Sequence, residues 1–299
     1  MAFKPVQRNP MAGRGKARSS RKPKRAQQGR NRAFWVLLVF LVVVFFAGGS
    51  SRKDIPTQVL LRPKSVADAF YALATMTAEQ WRAYRIPIGM LAAVVGLTIL
   101  HLVPLPPAIW QALPGRSIMF DIQTMAGQPD IWLPLAMVPD NAWNALFSLF
   151  TPIAVLFLAI QLTDTDNFWL LVALVGLALL SALVGVMQAA GITFRLYAIM
   201  SDTPPGLFAN RNHQAALLAM LFPMLAMIAS VGERFGFDRR LLRVLTGALA
   251  IAVVPLVLVT GSRMGLVVCG VALLAIAAMR LDLLPPGLLR KGAASKVVI

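Results

Sequence analysis

Apolar runs about as long as a bilayer is thick recur along this chain, and they constrain its fold more than any other feature. Hydrocarbon offers no water to satisfy backbone N–H and C=O groups, so a run of ~20 apolar residues reads as a spanning helix. Such runs lie at 33–49, 86–103, 142–162, 168–190, 215–231, 241–259 and 264–279. The composition agrees: 58% of residues are hydrophobic and 14% charged, with a mean hydropathy of +0.71, outside the soluble globular range. The expected fold class is all-α, a polytopic helical membrane protein with a disordered basic N-terminal tail. Cys269 is the single cysteine and lies within a run. No disulfide within the chain follows, and packing is its expected role.

A net charge of +17 would suggest a nucleic-acid partner if it were spread over a soluble domain. It is concentrated instead. Eleven of the 29 basic residues precede Ala33, where no acidic residue occurs. Residues 1–32 therefore read as a disordered cytoplasmic tail that sets topology and touches anionic headgroups, and no nucleic acid is expected. Residues 33–47 and the small residues Gly48-Gly49-Ser50-Ser51 have the layout of a cleaved signal peptide. The long basic tail and the spans that follow favour an uncleaved anchor.

Hydropathy alone rejects 55–76 as a span, because it contains Arg62, Pro63, Lys64 and Asp68. Orientation follows Lys and Arg in short loops. With 55–76 spanning there are about eight helices, and 21 basic residues fall inside against 8 elsewhere. With 55–76 on the surface the split is 15 against 14. The spanning arrangement is preferred, with Arg62 and Lys64 snorkelling or facing the protein interior. It leaves 281–299 as a cytoplasmic C-terminal segment. Residues 104–141 become a periplasmic loop or re-entrant segment, in which seven prolines from Pro104 to Pro139 forbid a continuous helix. Trp110, Trp132 and Trp143 suit an interfacial belt.

The same topology puts two polar elements on the outer side. One is Gly206-Leu207-Phe208-Ala209-Asn210-Arg211-Asn212-His213, directly ahead of the 215–231 run. The other is the turn Thr260-Gly261-Ser262-Arg263-Met264-Gly265. An outward arginine runs against the positive-inside bias, and a guanidinium grips phosphate in a bidentate fashion. Asn210 or Asn212 is placed to cap the following helix, whose N-terminus also favours an anion. Candidate ligands of a lipid diphosphate are Arg263, Arg211, Asn210, Asn212, His213 and Ser262; no catalytic residue is assigned. Snorkelling is the plain alternative for Arg263, and capping for the asparagines. His101 reads as an interfacial histidine, Gln188 and Asn144 as interhelical hydrogen-bond partners. No His/Cys cluster has metal-ligand spacing, and neither a phosphate-binding glycine loop nor a Gly-x-Ser-x-Gly elbow occurs. No metal and no cofactor are expected. No pair of intramembrane acids marks a proton or sodium relay, which speaks against a transporter.

The segment Gly206–His213 resembles the Gly-x-Phe-x-Asn-x-Asn element of the bacterial O-antigen ligase and O-antigen polymerase superfamily. Thr260–Gly265 is similar to that family's Thr-Gly-Ser-Arg-Gly-Gly element, with Met264 in place of its first glycine after the arginine. Pro104-Leu105-Pro106-Pro107 with Trp110, Leu113-Pro114-Gly115-Arg116 and Gly48–Arg52 also resemble the front half of family members. The likeness runs over about 33–280. It implies a metal-independent glycosyltransferase of the bacterial inner membrane that takes an undecaprenyl-diphosphate-linked glycan on the periplasmic face. The acceptor would be a lipid, a polysaccharide or a protein, and the outward arginines would stabilise the departing diphosphate. Family members carry a large outer loop with a histidine and an arginine in a second half. No counterpart of it occurs before Ile299, so the expectation is the front half of such an enzyme. The alternative is a non-catalytic membrane protein assisting envelope polysaccharide assembly, or an inactive remnant.

Overall fold

The computed structural model describes residues 31–49, 55–197 and 204–280. The basic tail up to residue 30, the stretch 50–54, Asp202 and the C-terminal segment from 281 lie outside the described residues.

The first half opens with α1 (Arg32–Ala47), which Asn31 caps by accepting from the Ala33 amide. α2 (Ile55–Thr75) is the segment that hydropathy rejects. Within it Lys64 is ion-paired with Asp68, while Arg62 reaches a neutral amide. Lys64 donates to Asp68 Oδ1 at 2.7 Å and lies 5.6 Å from the Phe40 ring. Arg62 donates to Asn144 Oδ1 and lies 6.0 Å from the Phe147 ring. Both basic side chains thus face the interior, as one of the two expected placements required. After α3 (Ala78–Ala83) and α4 (Arg85–Leu100) the chain enters its proline-rich segment.

No continuous helix forms there. β1 (Pro104–Leu105) pairs antiparallel with β2 (Leu133–Pro134), and α5 (Pro107–Trp110) and α6 (Ser117–Met125) lie between them. Trp110 corrects the belt expectation. It is fully buried, and its Nε1 donates to the Ile131 carbonyl at 2.9 Å. A buried indole keeps its N–H satisfied in this way. Trp132 and Trp143 are exposed, as a belt requires. Arg116 is also buried, and it donates to the Pro134 and Leu135 carbonyls. It clamps β2 to α6. An Arg116→Met variant is expected to cost about 1–3 kcal/mol of local stability by leaving those carbonyls unpaired. Limited proteolysis should then cut within 111–135 several-fold faster, and an unchanged cleavage pattern refutes the clamp.

α7 (Pro139–Ser148) runs on into α8 (Phe150–Ala159). α9 (Asp164–Ala189) starts ahead of the expected position 168. Thr163 Oγ1 accepts from the Asp166 amide and Asp166 accepts from the Thr163 amide, both at 3.2 Å. This capping box recruits two acids into the first helical turn, where the dipole favours them. α10 (Arg211–Val231), a 3₁₀ turn (Gly232–Phe235), α11 (Arg239–Val259) and α12 (Arg263–Arg280) complete the described residues.

Among the described residues four helical stretches are long and apolar enough to cross a membrane: Pro139–Ala159, Asp164–Ala189, Arg211–Phe235 and Arg239–Val259. Arg32–Ala47, Arg85–Leu100 and Arg263–Ala277 are apolar but shorter. Length and composition therefore support four of the eight expected spans outright. Ile86, Met90, Ile251 and Leu274 are each more than two-thirds exposed. Rows of this kind are a liability in water and match a hydrocarbon solvent. The architecture is consistent with a helical membrane protein.

In hydrocarbon the hydrophobic effect does not press helices together, so small residues and interhelical hydrogen bonds hold them. Ser65 and Thr151 hydroxyls meet at 2.9 Å between α2 and α8. Gln161 donates to Ala72 O and accepts from Thr75 Oγ1, while its carbonyl accepts from Asn31 Nδ2 at 2.9 Å. The start of α1 and the ends of α2 and α8 therefore share one end of the bundle, and α8 runs beside the second half of α2. At the opposite end the Ala209 amide donates to Gly49 O at 2.8 Å. Tyr197 Oη there donates to Phe46 O and accepts from the Gly49 amide. The end of α1 and the polar segment ahead of α10 thus lie together.

Candidate functional site

The segment 205–210 is bonded along its length before α10 begins. Gln188, near the end of α9, accepts from the Gly206 amide and donates to the Gly206 carbonyl, each at 2.9 Å. Gly206 adopts φ +62 and an added Cβ would lie 2.7 Å from Ser181 O, so only glycine fits. The Leu207 amide donates to Ser181 Oγ at 3.1 Å, and Ser181 in turn donates to Gln214 Oε1. The Phe208 ring meets Phe45 and His213 edge to face, with centroids 5.9 and 6.2 Å away. Gln188 corrects the interhelical expectation, since it bonds the loop residues Phe194 and Gly206 and no second helix, whereas Asn144 on α7 meets Arg62 on α2 as expected. His101 is half-buried, with its Nδ1 2.7 Å from the Leu97 carbonyl of its own helix.

The two asparagines divide their roles. Asn210 caps α10, its Oδ1 accepting from the Asn212 amide at 2.8 Å. Asn212 Oδ1 accepts from Ser262 Oγ at 2.8 Å, across 50 residues of sequence. The same Ser262 oxygen accepts from the Gly265 amide at 3.0 Å and so caps α12. Its neighbour Thr260 supports the turn, Oγ1 accepting from the Ser262 amide at 3.3 Å and donating to Val257 O at 2.7 Å. Gly261 turns the chain at φ +63, and a Cβ there would lie 3.6 Å from Arg211 Nη1.

The N-termini of α10 and α12 are therefore side by side, and each opens on an arginine: Arg211 on one, Arg263 on the other. Arg211 is half-buried against the turn; Arg263, Asn212 and His213 are exposed. Among the described residues neither arginine has an acidic partner. The amides of Arg211, Arg263 and Met264 likewise meet no acceptor among them. Two helix N-termini joined through Ser262 and Asn212, each with an arginine at its first position and free N–H groups, form a favourable setting for an anion. All six candidate residues lie in it. The His213 ring faces Phe208 and its side chain makes no hydrogen bond to a described residue, so it enters as a neighbour of the cluster.

Three contributors were missed at the level of sequence: Ser181, Gln214 and Gly265. Ser181 and Gln214 are fully buried polar side chains in apolar helices, which is the signal that marks such positions. Gly265 packs against Ala215, and an added Cβ would overlap the alanine Cβ. Among the described residues no group of three His, Cys, Asp or Glu side chains gathers as a metal site. Cys269 packs against the α9–α11 core. No protein-family model, curated protein or solved structure matches this chain.

Proposed function

We propose that the paired N-termini of α10 and α12 bind the diphosphate of a lipid-linked glycan, in an O-antigen ligase-like glycosyltransferase or its front half. The carrying observation is the Ser262–Asn212 hydrogen bond at 2.8 Å, which locks two arginine-bearing helix ends together. An undecaprenyl diphosphate is the ligand that suits a cationic site at the head of a membrane helix bundle. Arg211 and Arg263 would hold it in bidentate contacts and stabilise charge as the glycan leaves. The placement of Gly49 beside Ala209 favours eight crossings, because an odd number of crossings between those points would put them on opposite faces. With a cytoplasmic tail, the site faces the periplasm.

A second reading keeps the binding site and drops the transfer step. The chain then binds the lipid diphosphate without transferring the glycan, as an assembly partner.

Binding is tested with the protein in lipid nanodiscs and undecaprenyl diphosphate as probe, undecaprenol as its neutral control. Arg263→Ala and Arg211→Ala are each expected to weaken the diphosphate about tenfold and leave undecaprenol unchanged. Equal affinity of the parent for both lipids rejects the site. Complementation of a ligase- or polymerase-null strain separates the two readings, since only the enzyme restores glycan transfer.

A further inference from the structure

Gln214 lies 1% exposed at the start of α10, and its carboxamide is only half used. Its orientation is fixed by a relay. The Leu207 amide donates to Ser181 Oγ, and Ser181 Oγ donates to Gln214 Oε1. An amide assigned through its network in this way leaves Nε2 pointing the other direction. Nε2 is buried and has no acceptor. A desolvated donor without a partner is unfavourable, and native structures seldom leave one without a reason.

The space beside it is small and specific. A partly open pocket with the room of about one water molecule is lined by Ala182, Gly185, Gln214, Leu218, Leu256 and Thr260, among others. A Cβ placed on Gly185 would stand 3.7 Å from Nε2, which locates the amide at this wall. Apart from Gln214 and Thr260 the lining is apolar and carries no charge, so a phosphate anion is unsuited to it. A hydroxyl is suited: its oxygen accepts from Nε2 and its proton goes to Thr260 Oγ1. Thr260 Oγ1 already donates to Val257 O and accepts from the Ser262 amide, which leaves it one lone pair. Thr260 opens the same turn that carries Gly261, over which Arg211 lies.

We propose that this pocket receives one hydroxyl of the sugar attached to the lipid diphosphate, with Gln214 Nε2 as its donor and Thr260 Oγ1 as its acceptor. This rests on the diphosphate reading above and adds to it the recognition of the glycan. The arginines supply affinity for any polyprenyl diphosphate, and Gln214 selects those bearing a sugar. A site built to bond a hydroxyl discriminates strongly against a ligand lacking it, because its buried groups are then left unpaired.

The test compares undecaprenyl diphosphate with undecaprenyl-diphosphate-linked glucose and galactose on the nanodisc-held protein. The parent is expected to bind at least one hexose-bearing lipid about tenfold more tightly than the bare diphosphate. Gln214→Met removes the donor at nearly constant volume, and Gly185→Ala half-fills the pocket while favouring the helix. Gly185→Ala is expected to keep the bare diphosphate affinity, and both variants are expected to lose the preference for the sugar. Gly185→Ala guards against a folding artefact, since its added methyl meets only ordinary contacts. Preference retained in both variants, or absent in the parent, overturns the inference and leaves the pocket to a water molecule only. Failure of the parent to bind the bare diphosphate is a different result, and it rejects the site itself.

Discussion

Gly206→Ala is expected to lower stability by about 3 kcal/mol and to abolish diphosphate binding. Two effects combine. A left-handed residue with a Cβ costs roughly 1–2 kcal/mol, and Gly206 sits at φ +62. The new Cβ would also stand 2.6 Å from Gln214 Cδ and 2.7 Å from the Ser181 carbonyl. The second neighbour is helix backbone and cannot turn aside, so the 205–210 segment must move away from α9. Overpacking of this kind adds about 1–3 kcal/mol. That motion pulls Gly206 off Gln188 and shifts Asn210, the cap of the helix that presents Arg211. Gly236→Ala is the control. Gly236 has φ +90 and open space around it, so alanine there carries the backbone strain without the collision. Thermal unfolding in detergent reads both variants. If Gly206→Ala falls no further than Gly236→Ala, the packing account is wrong.

The helices were legible to the extent that one-dimensional signals determine them. Apolar runs locate α1, α4 and α8 to α12 because a bilayer selects length and hydropathy directly. α2 was reached only through charge distribution, since its own hydropathy argues against it. In the structure Lys64 and Arg62 have Asp68 and Asn144 as partners. The apolar run places the start of α9 at 168 because Asp164 and Asp166 are charged, although Thr163 with Asp166 is a capping box visible in sequence. Trp110 was misplaced for another reason. Aromatic belts are a tendency of surface tryptophans, and nothing local announces that this indole will find Ile131.

The site divides the same way. Arg211, Arg263 and the asparagines stand out by type and position, and the structure gathers them. Their coupling through Ser262 and Asn212 spans 50 residues and is a property of helix packing that periodicity does not carry. Gln214 carries no one-dimensional signal beyond its polar type at the head of an apolar run. Its half-used amide depends on Ser181 and Leu207, neither of which is conspicuous in an apolar run.

Gly265→Ala is expected to separate the two arginine-bearing helices and to weaken the diphosphate more than hundredfold, about 3 kcal/mol. α12 lies on α10 with Gly265 against Ala215, and a Cβ at position 265 would overlap the Ala215 Cβ. Small residues permit this close approach, and in hydrocarbon close packing is a main source of helix association. Moving the axes apart stretches the Ser262–Asn212 bond from 2.8 Å, and the two guanidiniums then no longer address one ligand. The helix itself gains from alanine, so secondary structure should be unchanged or slightly increased. Gly270→Ala separates the two contributions, because nothing lies within 4 Å of a Cβ there. It should keep full binding. Ala215→Gly restores the lost space from the other side. The double variant with Gly265→Ala should therefore recover most of the binding, despite a helix-propensity cost of about 1 kcal/mol on α10. Recovery in the pair, with loss in Gly265→Ala alone, ties the site to the distance between these two helix ends. A double variant as impaired as Gly265→Ala would show that the glycine acts through something other than this contact.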